Sequence, residues 1–293
     1  MSAKARIGFV GLGVLGIAMA ERLLKRGWPV SVWNRSPGRA ELLAPHGGVP
    51  KQTPAEVAAT SDVVMLCVLD GPAVEEVVFG PGGVAEAKGA RTLIDFSTIE
   101  PERTVTLAAR LKTATGADWI DAPVSGGPPV ALNGKLTIML GGAPDAVARC
   151  RPALDDLAGN LTHLGPVGSG QTAKVLNQAI VGVSYVLMAE LLALAATTDI
   201  DPALLPKALS GGLADSNVLQ RIYPLMQAED FSKPLGYARQ LNKDLQALAA
   251  FASARGVDLP VIRKAVERYA EYARGNDMAD SASVSRLYPW MRK

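Results

Sequence analysis

The first 165 residues alternate short apolar runs with stretches whose apolar positions recur at helical spacing. Strands are predicted over residues 6–11, 30–34, 63–69, 92–96, 119–122 and 136–140, with a short piece near 161–164. The early runs are continuously apolar, the pattern of strands covered on both faces. Helices are predicted between them over 13–26, 39–43, 54–60, 73–78, 101–112 and 145–157. Strand and helix in alternation describe an α/β domain with a doubly wound, mostly parallel sheet. From Gly168 the strand-like runs stop, and helices are predicted over 171–198, 202–210, 217–228, 238–255 and 260–273. Pro202 and Pro260 stand where helices start, and Gly256 and Gly275 where they end. The first of these helices spans about 42 Å at ~1.5 Å per residue, and its apolar body predicts packing on all sides. The glycine-rich turn at 165–170 divides the chain into residues 1–165 and an all-α domain over 166–293.

Composition narrows the class without choosing a function. Apolar residues make up 48% of the 293, charged residues 20% and aromatics 5%, which excludes disordered, collagen-like and disulfide-scaffold chains. There are 16 basic and 16 acidic residues before Pro166, and 14 and 12 from it onward. Neither half has the basic excess of a nucleic-acid binder. Cys67 and Cys150 show no metal-ligand or disulfide spacing and read as reduced thiols of a cytoplasmic protein, Cys67 as part of the core. The amino terminus lacks the long apolar run of a signal peptide. Residues 179–196 come close to the length of a membrane span, but they carry Ser184 and Glu190 and read as a helix of a soluble protein.

The first strand runs into Gly11-Leu12-Gly13-Val14-Leu15-Gly16. Gly11 permits a tight turn, Gly13 lets backbone approach a pyrophosphate, and Gly16 lets the helix pack close to the strand. The amides from Leu12 onward then face the anion. The position of this GxGxxG between an apolar strand and an amphipathic helix raises its value above that of the motif alone. An NAD site usually places Asp or Glu at the end of the second strand. Here Asn34-Arg35-Ser36 stands instead, with no carboxylate before Glu41. Arg35 can pair with a 2′-phosphate while Asn34 and Ser36 donate to it, so NADP(H) is favoured over NAD(H). The plain alternative is a solvated surface arginine. Val68-Leu69-Asp70 and Thr98 end later strands and are placed at the same carboxyl edge of the sheet. Thr98 either donates to the cofactor or caps the helix that starts at Pro101.

Only His46 and His163 are present, and neither neighbours a nucleophile, so acid–base chemistry falls to Lys, Asp, Glu or Tyr. Two segments are candidates. In Asp121-Ala122-Pro123-Val124-Ser125-Gly126-Gly127 the small residues either free backbone N–H groups for an anion or form an ordinary turn. In the second segment Lys174, Asn177 and Gln178 share one face at i, i+3 and i+4. They serve either a site or solvation at the domain boundary. Asn242-Lys243-Asp244 opens a later helix and can return a cation to the cleft.

Taken in order, these motifs resemble the 3-hydroxyisobutyrate dehydrogenase (β-hydroxyacid dehydrogenase) family over essentially the whole chain. The resemblance implies a Rossmann domain, a long interdomain helix, a helical domain, and assembly as a homodimer or homotetramer. It implies Lys174 as the catalytic acid/base and Ser125, Gly126 and Gly127 as the holders of a substrate carboxylate, helped by Asn177 and Gln178. It also implies Thr98 and Lys243 beside the nicotinamide; with two histidines and no metal-ligand spacing of the cysteines, no metal is expected. Pro128-Pro129-Val130 replaces the small residues and glycine that relatives often carry after Ser-Gly-Gly, which reshapes a wall near the substrate. The expected reaction joins a small 3-hydroxy acid, or a 2-hydroxy acid such as glycolate, to its semialdehyde or oxo acid. Asn34-Arg35-Ser36 is most like the NADPH-using glyoxylate and succinic semialdehyde reductases. Imine reductases share the scaffold but typically carry Asp or Tyr where Lys174 stands. A more distant alternative is a nucleotide-binding protein without catalysis.

Overall fold

The computed structural model describes residues 4–234 and 236–288. The chain forms two compact units that meet between Lys174 and Val175. The first begins with β1 (Ile7–Val10), α1 (Val14–Lys25), β2 (Val30–Trp33), β3 (Val49–Pro50), α2 (Pro54–Ala59), β4 (Val63–Leu66) and α3 (Gly71–Phe79). It continues through β5 (Thr92–Asp95), α4 (Pro101–Thr115), β6 (Asp118–Asp121), β7 (Val124–Ser125), α5 (Pro128–Leu132), β8 (Leu136–Gly141), α6 (Pro144–Asp155) and β9 (Ala158–Gly165). The strand order is β3-β2-β1-β4-β5-β6-β8-β7, with β9 paired to β8. All pairs are parallel except β6 and β7 against β8.

Alternation along each strand feeds two cores, one on each face of the sheet. Phe9, Met65, Ile94 and Ile120 pack with Met19, Leu23, Val147 and Leu154 of α1 and α6. Val10, Val64, Leu66, Leu93 and Trp119 pack with Val57, Val74, Val78, Leu107 and Leu111 of α2, α3 and α4. This is why the runs are apolar at every position: each face has its own helices. The helix starts follow local chemistry. Thr53 Oγ1 accepts from the Glu56 N–H at 3.1 Å, and Asp70 Oδ1 from the Ala73 N–H at 2.9 Å, which satisfies first-turn donors.

The sheet order reverses between β1 and its neighbours β2 and β4, so the carboxyl ends of β1 and β4 open the crevice where ligands of such sheets bind. Several short elements depart from the sequence reading. Residues 39–43 contribute to a 3-10 turn over Glu41–His46 rather than an α-helix, and Pro45 lies inside it. The two-residue strands β3 and β7 carry no periodic signal. The prolines after Gly127 start α5, a short helix that the sequence reading did not predict, because proline fits the first helical positions. The piece expected near 161–164 is part of an eight-residue strand, mostly exposed, whose opening Ala158-Gly159-Asn160 carries no apolar run.

The second unit is helical. α7 (Ser169–Ala195) crosses the division as one 27-residue helix. α8 (Leu205–Leu209), α9 (Asn217–Arg221), α10 (Tyr223–Ala228), α11 (Ala238–Ala254) and α12 (Pro260–Ala273) follow. The helix predicted over 217–228 divides at Ile222, because Pro224 lacks the N–H that would continue the ladder. The core joins Val186, Ala189 and Leu192 of α7 to Leu241, Leu245, Tyr269 and Tyr272. A buried 3-10 turn, Ser281–Leu287, closes it. The Tyr269 hydroxyl donates to Ser281 O at 3.1 Å. α7 is not packed on all sides, since Leu176, Ile180, Leu187, Leu191 and Leu194 are exposed. It is long and apolar enough to cross a membrane, and 39% of its most apolar window is buried.

Candidate active site

The three glycines after β1 have different physical tasks. Gly11 has φ +93°, and a Cβ there would lie 2.4 Å from Cys67 O and 2.7 Å from Val68 Cγ1. Only glycine lets the ends of β1 and β4 come this close. At Gly16 a Cβ would lie 2.1 Å from Gly11 O, so helix and strand touch there. At Gly13 it would meet nothing within 4 Å. That open space lies at the N-terminus of α1, where unpaired amides and the helix dipole favour an anion. These residues fit a dinucleotide pyrophosphate.

Asn34 ties the end of β2 to this loop. Its Oδ1 accepts the Leu12 N–H at 2.8 Å, and its Nδ2 donates to Ser36 O at 2.9 Å. The amides open to an anion therefore begin at Gly13 rather than Leu12. Arg35 and Ser36 are exposed. Arg39, which the sequence reading missed, donates from Nη1 to Leu12 O at 3.0 Å. The Pro37-Gly38 turn between the two arginines was the available signal. Val68 donates its N–H to Ser97 Oγ at 3.0 Å, and Asp70 caps α3. α4 takes Glu100 as its N-cap residue, whose side chain makes no capping bond, and Thr98 lies two residues before it.

Asp95 and Asp121 end adjacent parallel strands, side by side in register and fully buried. Asp121 accepts the Gly168 N–H on Oδ1 at 2.8 Å and the Gln171 N–H on Oδ2 at 2.9 Å. Its carboxylate thus caps the first turn of α7 from the end of β6. Burial raises its pKa, and those backbone donors oppose the rise. Asp95 accepts the Ser97 N–H on Oδ1 at 2.9 Å, whereas Oδ2 has no partner among the described residues. Burial pushes the Asp95 carboxyl up to about 7; the hydrogen bonds from Ser97 oppose this and the nearby Asp121 adds to it.

A native value above the unfolded one means that the folded chain holds the extra proton between pH ~4 and ~7, so stability falls as pH rises through that window. The loss is at most about 4 kcal/mol at ~1.4 kcal/mol per unit. Asp95→Asn is expected to flatten this slope, matching the wild type near pH 4 and exceeding it at pH 8 in urea unfolding. An unchanged slope would show that Asp95 ionises freely in the fold.

Lys174 lies on the second turn of α7, only 8% exposed, and its Nζ donates to Val124 O at 2.9 Å. The ammonium is therefore brought to the strand that leads into Ser125. Gly126 and Gly127 follow with φ of +137° and +79°. Pro128 and Pro129 offer no N–H, while the amides of Val130 and Ala131 both donate to Gly127 O. Gln171, also missed from sequence, is fully buried between Asp121 and the Ser97–Ile99 loop.

The second unit holds the remaining candidates in one polar chain. Asn177 Nδ2 donates to Gln178 Oε1 at 2.9 Å, and Gln178 Nε2 donates to Asp244 Oδ2 at 2.7 Å. Lys243 pairs with Asp244 Oδ1 at 3.2 Å. Asp244 thus holds Gln178 and Lys243 directly, and Gln178 in turn holds Asn177. Asn242 Oδ1 beside it is buried without a partner among the described residues.

A doubly wound sheet with a pyrophosphate-fitting glycine turn, a buried lysine beside a glycine-rich turn and an all-helical second unit define a dinucleotide-dependent oxidoreductase. Residues 6–165 match the NAD-binding domain of 6-phosphogluconate dehydrogenase, and residues 168–288 match the NAD-binding domain of NADP-dependent 3-hydroxyisobutyrate dehydrogenase. The 2-hydroxy-3-oxopropionate reductase of Escherichia coli K12 is 36% identical over 286 residues, 96% of this chain and 97% of that one. The 3-hydroxyisobutyrate dehydrogenase of Pseudomonas aeruginosa is 33% identical over 294 residues, 96% and 98% of the two chains. The solved 3-hydroxyisobutyrate dehydrogenase of Mycobacterium tuberculosis with L-serine has a TM-score of 0.88 at 28% identity, covering 98% of this chain and all of that one. The chain belongs to the 3-hydroxyisobutyrate dehydrogenase family and is an NAD(P)-dependent hydroxyacid dehydrogenase.

Proposed function

We propose that the enzyme uses NADP(H) in preference to NAD(H) to interconvert a small 3-hydroxy acid, or a 2-hydroxy acid such as glycolate, with its semialdehyde or oxo acid. The observation that carries the reading is the buried Lys174 ammonium held at Val124 O beside the Ser125–Gly127 turn. A bound nicotinamide supplies or accepts the hydride at the carbonyl carbon. Lys174 donates a proton to the oxygen on which negative charge develops, or takes the hydroxyl proton in the reverse direction. Ser125, Gly126 and Gly127 hold the substrate carboxylate and so fix which carbon reacts. The glycine loop from Gly11 to Gly16 holds the pyrophosphate, with Val68, Leu69, Asp70 and Thr98 along the same sheet edge. Asn177, Gln178 and Lys243 keep the roles that the resemblance gives them.

Arg35, Ser36 and Arg39, with no carboxylate at the end of β2, support the 2′-phosphate assignment. We assign cofactor binding to residues 1–165, and substrate binding and self-association to residues 166–293. The exposed apolar face of α7 supports a homodimer or homotetramer, and two free thiols fit a cytoplasmic setting. Lys174 also favours this reading over an imine reductase.

The test follows nicotinamide absorbance with NADPH and NADH against glyoxylate and the succinic, malonic, methylmalonic and tartronic semialdehydes. Turnover of an acid is expected with NADPH. Arg35→Asp is expected to weaken NADPH by roughly 30-fold, about 2 kcal/mol, and NADH by much less. Equal loss for both cofactors would remove the 2′-phosphate assignment. Turnover of uncharged cyclic imines without turnover of any acid would replace the substrate class.

A further inference from the structure

We infer that Gln171 is a positioning residue that locks the loop carrying Thr98 to the helix turn preceding Lys174. The inference rests on the assignment of Lys174 as acid/base and of Thr98 to the cofactor side. The Gln171 side chain is fully buried and makes two bonds of opposite sense. Nε2 donates to Ser97 O at 2.7 Å, and Oε1 accepts the Ile99 N–H at 3.3 Å. These two partners bracket Thr98. The backbone N–H of Gln171 donates to Asp121 Oδ2, the carboxylate that also takes the Gly168 N–H. Ser97 carries the tie further, since its Oγ accepts the Val68 N–H at the end of β4. Lys174 follows Gln171 by three residues on the same helix, with its Nζ on Val124 O.

The Gln171 side chain thus joins the loop after β5 to the start of α7, while its backbone N–H ties the same turn to β6 and Ser97 extends the tie toward β4. A primary amide is the neutral group that can donate and accept across such a gap. Methionine fills a similar volume and does neither. A glutamic acid reproduces both bonds only when protonated, because a carboxylate has no hydrogen to give to Ser97 O. A residue that merely filled space would tolerate methionine and show no dependence on the protonation of glutamate.

The experiment uses the full-length protein with Gln171→Met, Gln171→Glu and Lys174→Ala beside the wild type. Amide exchange is followed by mass spectrometry on peptides covering residues 97–100 and 168–174. In Gln171→Met both segments are expected to exchange at least tenfold faster together, while peptides from β1 and β8 stay unchanged. Turnover with NADPH is expected to fall about 30-fold in kcat, with the KM for cofactor within threefold. The isotope effect from cofactor deuterated at the transferred position should rise. In Gln171→Glu both exchange protection and kcat should recover as pH falls from 8 to 6.

Unchanged exchange at residues 97–100, wild-type kcat in Gln171→Met, or a pH-independent Gln171→Glu would overturn the inference. If Gln171→Met does not fold, the two pH arms of Gln171→Glu make the same comparison within one folded chain. Full turnover in Lys174→Ala would remove the acid/base reading instead, whatever the exchange data show.

Discussion

Lys174→Ala is expected to lower kcat about 10³-fold or more, with the dissociation constant for NADPH changed less than about threefold. Lys174 is 8% exposed and its Nζ is held on Val124 O, one residue before the Ser125–Gly127 turn. A group anchored by an ordinary backbone carbonyl can exchange that partner for a substrate oxygen on which negative charge grows, and this interaction strengthens only in the transition state. Alanine removes both the charge and the proton. It is expected to leave the glycine loop intact, because Gly11, Gly13 and Gly16 lie at the end of β1 and the start of α1 whereas Lys174 is held at Val124 O. Cofactor fluorescence titration and steady-state kinetics on one preparation separate the two effects. Comparable losses in binding and turnover would mean that the lysine supports the fold rather than the chemistry.

The second large effect divides the glycines by task. Gly16→Ala is expected to cost about 3 kcal/mol or more of stability, since its Cβ would lie 2.1 Å from the backbone oxygen of Gly11. Neither group is the end of a flexible side chain, so helix and strand must separate. Gly13→Ala meets nothing within 4 Å, and its φ of −60° suits any residue. Its stability is expected to stay within about 1 kcal/mol of the wild type, the cost of losing glycine at an N-cap. Dinucleotide affinity should nevertheless fall roughly 30-fold, because the added methyl occupies the approach to the α1 amides. Urea unfolding without cofactor, followed by cofactor titration, reads the pair. Equal destabilisation by both substitutions would show that Gly13 is needed by the fold itself.

The motif showed three glycines and a loop, but not this division, which depends on what faces each position in space. The alternation of buried strands and helices was legible because both sheet faces are covered and each element has enough residues to show a period. β3 and β7, with two residues each, are too short for that, and β9 is exposed along most of its length with no continuous apolar run. Lys174 was legible from its motif. Gln171 and Asp121 were not, although both were in view, because their roles come from pairings across long sequence separations. Gln171 meets Asp121 over 50 positions and Ser97 over 74. Nothing local to either residue announces such a partner. Asp244 was visible as the neighbour of Lys243, yet its bond to Gln178 crosses 66 positions.

Asn34 carries a consequence for redesigning cofactor choice. Its carbonyl holds the Leu12 amide while its amino group holds Ser36 O, so it joins the pyrophosphate turn to the segment after β2 as a frame. Arg35 and Ser36 are exposed beside that frame. On the proposed cofactor assignment, exchanging them is expected to alter which adenosine ribose is preferred while the glycine turn keeps its shape. Exchanging Asn34 is expected to loosen that turn and to weaken both nicotinamide dinucleotides alike. On that assignment a cofactor switch in this chain is a substitution of two letters read from a fixed page, with the asparagine kept as its binding.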